Sequence, residues 1–390
     1  MKIVLLSFGL GLVAFLLAIL YLSHRLKSAP DRMNLEAAID AEVGKAMKKG
    51  LAPGIVVGVY KDGRTFIKGY GTVDKEVPSL PGASTTFQIG SLSKIFTASL
   101  LHALCDEGVV SMDATLGRLI GGSNPLSPAA SQVTLKQLVT HTSGFPSIPR
   151  FLGDKMAETA GAQDPLRDPY SALEPKLVFE YLATTEDLRA PGRFEYSNFG
   201  MGLLAHVLEV VVGRDYESLV KEKVLAPLGM SGTAITLVPE IEGRLARGYT
   251  AEGRPTPLWR FGALAGAGAY ASNAEDLMKF VRGSVEPEGP ASRAFRKMRE
   301  AQYDGESGIG WMQPTFFDRF FGNRNVVWHN GMVGGYASYL SIDDETRTGV
   351  VVLINQARAT ESLGMMLTLQ ARTQSWSLST TSADRAPSRR

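Results

Sequence analysis

Residues Phe87–Lys94 read FQIGSLSK, and the meaning of the whole chain turns on this stretch. Ser91 and Lys94 stand three apart, which on a helix places both on one face. Ser93 lies about 200° around from Ser91 and points elsewhere. A serine hydroxyl is a poor nucleophile until a neighbour takes its proton. A lysine can take it if burial drives its pKa down, because desolvation disfavours the charged form. Ile95, Phe96 and Leu100, just downstream, supply apolar surroundings of that kind. Alone, the spacing favours a helix start with a capping serine and a lysine in solvent.

Working outward, residues 94–107 carry apolar side chains at Ile95, Leu100, Leu101 and Leu104, a helical pattern. Upstream, GIVVGVY (54–60) and TFIKGY (65–70) flank Lys61-Asp62-Gly63-Arg64, and Asp-Gly between two β-rich runs predicts a hairpin. Far downstream, YASYLSI (336–342) and GVVVLIN (349–355) flank the polar turn 343–348 and predict a second hairpin. Between them the pattern is mostly helical. Thr134-x-x-Gln137 and Ser272-x-x-Glu275 read as capping boxes. Met201–Val212 is almost entirely apolar and predicts a buried helix. Residues 151–175 are polar and proline-punctuated, the composition of a surface loop. The sum is a sheet built from both ends of the chain with a helical region inserted in its middle.

Two more clusters bear on chemistry. Tyr196-Ser197-Asn198 precedes the buried helix, and His329-Asn330-Gly331 sits on a strand before a glycine-rich bend. Other chemistries find no support. GxSxG, HExxH, GxxxxGK[ST] and EF-hand patterns are missing, and Gly266-Ala267-Gly268 lacks the strand and third glycine of a dinucleotide site. The five histidines are scattered, so no metal is expected, nor any cofactor. One cysteine, Cys105, rules out an intrachain disulfide framework, and it reads as a small buried hydrophobe. With 41 basic against 39 acidic residues in 390, the net charge of +2 gives no field to draw nucleic acid. His141, in HTSG, is assigned to stabilising its loop, and Phe316, Phe317, Phe320 and Phe321 to core or pocket wall.

The ends are distinct. Ile3–Leu22 is twenty residues without a charge, long enough to span the roughly 30 Å core of a bilayer. No small-x-small cleavage site follows it, so residues 1–33 are expected to be an uncleaved single-pass anchor, with a cleaved signal segment as the alternative. Flanking charges nearly tie in setting its orientation, and the domain is expected outside the cytoplasm. Residues 373–390, rich in Ser and Thr, are expected to be a disordered tail.

Ser-x-x-Lys, Tyr-x-Asn and His-x-Gly, in that order, resemble the signature of the serine β-lactamase and penicillin-binding-protein superfamily. The likeness is greatest to its class C branch, which includes D-alanyl-D-alanine peptidases, D-amino-acid peptidases and esterases. LKQLVTHTSGF (135–145), PLGMSGT (227–233), AGAGAYASNAEDLMKF (265–280) and GIGW (308–311) look like recurrent segments of that branch, so the resemblance covers about residues 34–370. It implies the transpeptidase-like α/β (α+β) fold. An antiparallel sheet with flanking helices would come from about 34–100 and 265–372, and a mostly helical part from about 101–264. The domain as a whole would run from 34 to 372, acting on a small-molecule or peptide-like substrate.

The resemblance also implies roles. Ser91 would be the nucleophile, and Lys94 and Tyr196 would share proton transfer, with either as the base. Asn198 would hydrogen-bond Lys94 and a substrate amide. The N–H groups of Ser91 and Met332 would form the oxyanion hole, and Gly331 would leave room for substrate to approach. Many relatives carry Lys-Thr-Gly or Lys-Ser-Gly at the third motif, where a permanent charge holds a substrate carboxylate. His329 attracts such a group more weakly, since an imidazole is mostly neutral at pH 7. An ester- or amide-cleaving serine hydrolase is therefore expected ahead of a β-lactamase or D-Ala peptidase. A non-catalytic scaffold or filament-forming relative is the third reading, and the intact Ser91, Lys94, Tyr196 and Asn198 count against it. Oligomeric state is left open.

Overall fold

The computed structural model describes residues 34–376 except 123, 161–167, 172, 187, 190, 301–306, 315–318, 321 and 323. Its centre is a five-stranded antiparallel sheet. The strands are β1 (Gly54–Lys61), β2 (Arg64–Gly71), β5 (Val327–Val333), β6 (Tyr336–Asp343) and β7 (Thr348–Ile354), in the order β2-β1-β7-β6-β5. Both predicted hairpins form, and β1 pairs with β7 from Ile55↔Ile354 to Tyr60↔Gly349. Two short strands, β3 (Phe87–Gln88) and β4 (Ala271–Ser272), make a separate ladder beside it.

Strands β1 and β7 read as unbroken apolar runs because helices cover both faces of the sheet. Alternate residues part accordingly. Ile55, Val57, Val59, Val350, Val352 and Ile354 pack with the helices Leu35–Lys48 and Glu361–Thr373. Val56, Tyr60, Val351 and Leu353 face the larger core, which holds the helices Ala274–Val285 and Ser93–Asp106. That core continues into the helical region, where Asn198–Val212 is buried along most of its length.

Three expectations need correction. Residues 151–175 are not loop throughout, because Arg150–Ala160 is a helix. Its polar composition hides an apolar edge four residues apart, with Leu152 buried and Met156 half-buried. Second, Asn273 rather than Ser272 caps Ala274–Val285, its Oδ1 accepting the Asp276 N–H at 2.9 Å. Ser272 is drawn into β4 opposite Phe87, which moves the helix start by one residue. Third, residues 373–376 belong to the folded part. Ser375 accepts the Leu35 N–H at 2.9 Å, and the Trp376 indole donates to the Lys61 carbonyl at 3.2 Å beneath the Arg64 guanidinium. One aromatic ring in a polar stretch suffices to pin it.

The run 3–22 and residues 377–390 lie outside the described residues. Among the described residues no helix is long and apolar enough to cross a membrane.

Candidate active site

Ser91 lies on a 3₁₀ turn, Gly90–Leu92, that runs directly into the helix Ser93–Asp106. The turn is fixed from behind: Ile89 donates to the Tyr270 carbonyl at 3.0 Å, and Ser93 Oγ accepts the Tyr270 N–H at 3.1 Å. Ser93 is thereby used up in the core, as its position on the helix requires, while Ser91 keeps partial exposure. Gly90 has φ +51°, and a Cβ there would stand 2.8 Å from the Met332 nitrogen. Only glycine permits both the left-handed backbone and that approach to β5.

Lys94 is fully buried. Its Nζ lies 2.9 Å from Ser91 Oγ, 2.8 Å from Asn198 Oδ1 and 2.6 Å from the Ala267 carbonyl. Two of these partners can only accept, whereas the serine hydroxyl can also donate. A neutral amine has two N–H groups and one lone pair, so it satisfies both carbonyls and aims the lone pair at Ser91. Burial holds the Lys94 pKa well below the usual lysine range, which favours that form. Gly266 allows the third contact, since a Cβ there would come within 2.3 Å of the Ala205 Cβ. The small residues of 266–268, discounted as a dinucleotide site, bring a carbonyl onto the lysine instead.

Tyr196 is half-buried, with Lys94 Nζ 5.0 Å from its ring centre. Burial pushes its phenol above the ordinary value, and a hydrogen bond with Ser91 pulls it part of the way back. At neutral pH it keeps its proton. Ser91, Lys94, Tyr196 and Asn198, from separate stretches of sequence, therefore converge at one point.

On β5, Met312 and Trp328 exchange backbone hydrogen bonds (2.9 and 3.2 Å) along the outer edge. By the two-residue alternation of a strand, the Met332 N–H also faces outward, away from β6 and beside Gly90. The two N–H groups expected to receive an oxyanion are thus neighbours, and the Met332 side chain is 45% exposed. The reason for Gly331 differs from expectation. A Cβ there would meet the Ile89 carbonyl at 2.0 Å and the Ser91 nitrogen at 2.8 Å, so it would wedge β5 off the serine turn before it obstructed any substrate.

His329 is only 2% exposed, its ring 6.2 Å from that of Tyr196. Nδ1 donates to the Asn330 carbonyl at 2.6 Å. Burial pushes its pKa down to about 3, so it brings no positive charge to the cleft.

Two further contributors were not legible beforehand. Tyr170 accepts from Asn198 Nδ2 at 3.4 Å and stacks on Phe261 at 4.6 Å. Asp168 secures it by receiving the N–H groups of Tyr170 (2.9 Å), Arg260 (2.5 Å) and Phe261 (3.1 Å). His141, assigned only to its loop, packs its ring 4.5 Å from that of Tyr196. Cys105 is half-buried against the core with its thiol pKa raised by burial, and Phe320 is half-buried. Phe316, Phe317 and Phe321 lie outside the described residues. Among the described residues no cluster of three His, Cys, Asp or Glu could hold a metal.

The model of the Beta-lactamase family matches residues 39–374. Human beta-lactamase-like 1 is 28% identical over 342 residues, a stretch covering 81% of this chain and 64% of that protein. The Beta-lactamase of Psychrobacter immobilis is 24% identical, covering 88% of this chain and 89% of the relative. Among solved structures, the octameric penicillin-binding protein homologue of Pyrococcus abyssi superposes with a TM-score of 0.70 at 28% identity, over 84% of this chain and 75% of that one. The Beta-Lactamase/D-Alanine Carboxypeptidase of Pseudomonas syringae gives 0.71 at 19% identity, over 87% and 98%, a likeness of fold.

Proposed function

The chain belongs to the Beta-lactamase family, and from that premise we propose that it is a serine hydrolase cleaving a neutral ester or amide through an acyl-enzyme on Ser91. The observation that carries this reading is the buried Lys94 amine, 2.9 Å from Ser91 Oγ and backed by two carbonyl acceptors. Lys94 takes the serine proton as Oγ attacks the substrate carbonyl carbon. Tyr196, still protonated, passes a proton to the leaving oxygen or nitrogen and is reprotonated from Lys94. The Ser91 and Met332 N–H groups receive the developing oxyanion, a contribution of several kcal/mol in comparable sites. Water then repeats the sequence and frees the acid. Asn198 holds Lys94 and meets a substrate amide.

The choice of neutral substrates follows from His329, which stays uncharged where a lysine would bind a carboxylate. A β-lactam or D-alanyl peptide is the second reading, supported by the names of the Psychrobacter and Pseudomonas relatives. The run 3–22 is proposed as a membrane anchor, with the hydrolase domain outside the cytoplasm.

Intact mass spectrometry of the full-length chain tests the nucleophile. A fluorophosphonate and an activated neutral ester are expected to leave an adduct on Ser91 that is lost in Ser91→Ala, and a penicillin is expected to label slowly or not at all. A folded protein that no reagent labels returns the scaffold reading to the front. Substrate choice is read separately from paired esters that differ by one carboxylate. His329→Lys is expected to raise kcat/KM for the anionic ester relative to the neutral one by about tenfold, about 1.4 kcal/mol of transition-state preference. An unchanged ratio removes His329 from substrate selection.

A further inference from the structure

We propose that His141 is a positioning residue for Tyr196, a neutral clamp that holds the phenol in line with Ser91. The proposal rests on the reading of Tyr196 as the proton carrier. The backbone of His141 is held at φ +59°, a left-handed conformation uncommon for any residue but glycine. Such a conformation persists where its surroundings hold it in place. Here the end of the helix Leu135–Val139 sets it, with His141 and Thr142 donating to the Leu138 and Gln137 carbonyls at 3.3 and 2.9 Å, and the Tyr196 segment docks on the turn so formed. The His141 carbonyl accepts the Glu195 N–H at 2.8 Å, and its Nδ1 accepts the Ser197 N–H at 3.1 Å. The residues on either side of Tyr196 are thus gripped by one histidine, and the imidazole lies 4.5 Å from the Tyr196 ring at 32°. Phe194 meets the same imidazole edge-on at 6.0 Å. The neighbouring residues extend the attachment: Thr142 accepts the Gly192 N–H at 2.9 Å and Gly144 accepts that of Arg189 at 3.1 Å.

The chemistry of the ring matters as much as its place. To accept from Ser197, Nδ1 must carry no proton, so the neutral imidazole holds its hydrogen on Nε2. Protonation would replace that acceptor by a donor facing an N–H, and would place a charge where burial disfavours one. The site therefore keeps the ring neutral, and loss of the clamp leaves Tyr196 a freer rotor in front of Ser91. A structural pillar and a positioning residue differ in one respect, because only the second sets how well the phenol delivers its proton.

The test uses the full-length chain, with rates counted per Ser91 trapped by fluorophosphonate so that misfolded protein does not enter. His141→Gly accepts the backbone angle but removes ring and acceptor. It is expected to lower kcat about thirtyfold, with KM within about twofold, and to move the alkaline limb of the kcat profile. His141→Asn tolerates the same angle and offers Oδ1 to Ser197, so it is expected to recover kcat to within about fivefold. A His141→Gly enzyme with the parent kcat and the parent alkaline limb overturns the clamp. If the His141→Gly variant does not fold, ¹⁵N shifts of the imidazoles in the unaltered protein decide, since an imidazolium or an Nδ1–H tautomer at pH 7 overturns it. Tyr196→Phe is measured in parallel. Full activity there defeats the proton-carrier reading, whereas its loss beside an unaffected His141→Gly defeats only the clamp.

Discussion

Ser91→Ala and Lys94→Met are each expected to lower kcat/KM at least about a thousandfold, and the double variant no further than the worse of the two. The non-additivity is the informative part. Lys94 is fully buried, with Nζ shared among Ser91 Oγ, Asn198 Oδ1 and the Ala267 carbonyl. If its work is to take the Ser91 proton, a lysine with no serine to serve has nothing left to lose. Methionine fills nearly the same volume and removes the amine, so the pocket stays packed while the two carbonyls lose a donor. That loss costs about 1–3 kcal/mol of stability, which circular dichroism and a melting curve will register. Multiplying effects in the double variant would mean that Lys94 acts apart from Ser91, and the proton-transfer scheme would fail. A Lys94→Met enzyme with parental activity would leave Tyr196 as the base.

Gly331→Ala is expected to cost about 1–3 kcal/mol of stability and at least about a hundredfold in kcat/KM. The added methyl would enter at 2.0 Å from the Ile89 carbonyl, and that oxygen already receives Ser338 Oγ at 2.7 Å. Neither neighbour can yield, because both are backbone or tied to it. The strand must therefore part from the serine turn, carrying the Met332 N–H out of line with the Ser91 N–H. Losing one oxyanion donor typically costs about 10²–10³ in kcat. The chemical step is expected to suffer while fluorophosphonate still adds slowly to Ser91. Parental kcat/KM in Gly331→Ala would show that the two N–H groups do not act as a pair. A loss confined to KM would return Gly331 to the simpler role of leaving room for substrate.

The motifs show where sequence reading succeeds. Ser91 and Lys94 share a helical turn, and Asp62-Gly63 closes the first hairpin, so local geometry decided both. That both ends of the chain supply strands to one sheet was legible too, whereas the pairing of Gly54–Lys61 with Thr348–Ile354 as central strands, each covered on two faces, was decided by the tertiary structure. Reading failed where composition masked a pattern or where pairing reset a boundary. Arg150–Ala160 is polar overall yet helical, and Ser272 lost its place as a cap to the ladder with Phe87. Trp376 pinned a stretch that its Ser and Thr neighbours assigned to a tail.

By itself the sequence determined the chemical types in the site and the two-ended sheet, because each rests on spacing within a few residues or on periodicity within one element. Tertiary structure alone decided the electrostatics. Whether Lys94 is neutral, whether His329 is charged and which face of His141 meets Tyr196 depend on groups over fifty residues away in the chain. Desolvation is a property of everything packed around a group, and no local spacing encodes it. The Ala267 carbonyl on Lys94 and the Tyr170 hydroxyl on Asn198 are contacts of the same kind, made by segments whose own sequences carry no mark of a site.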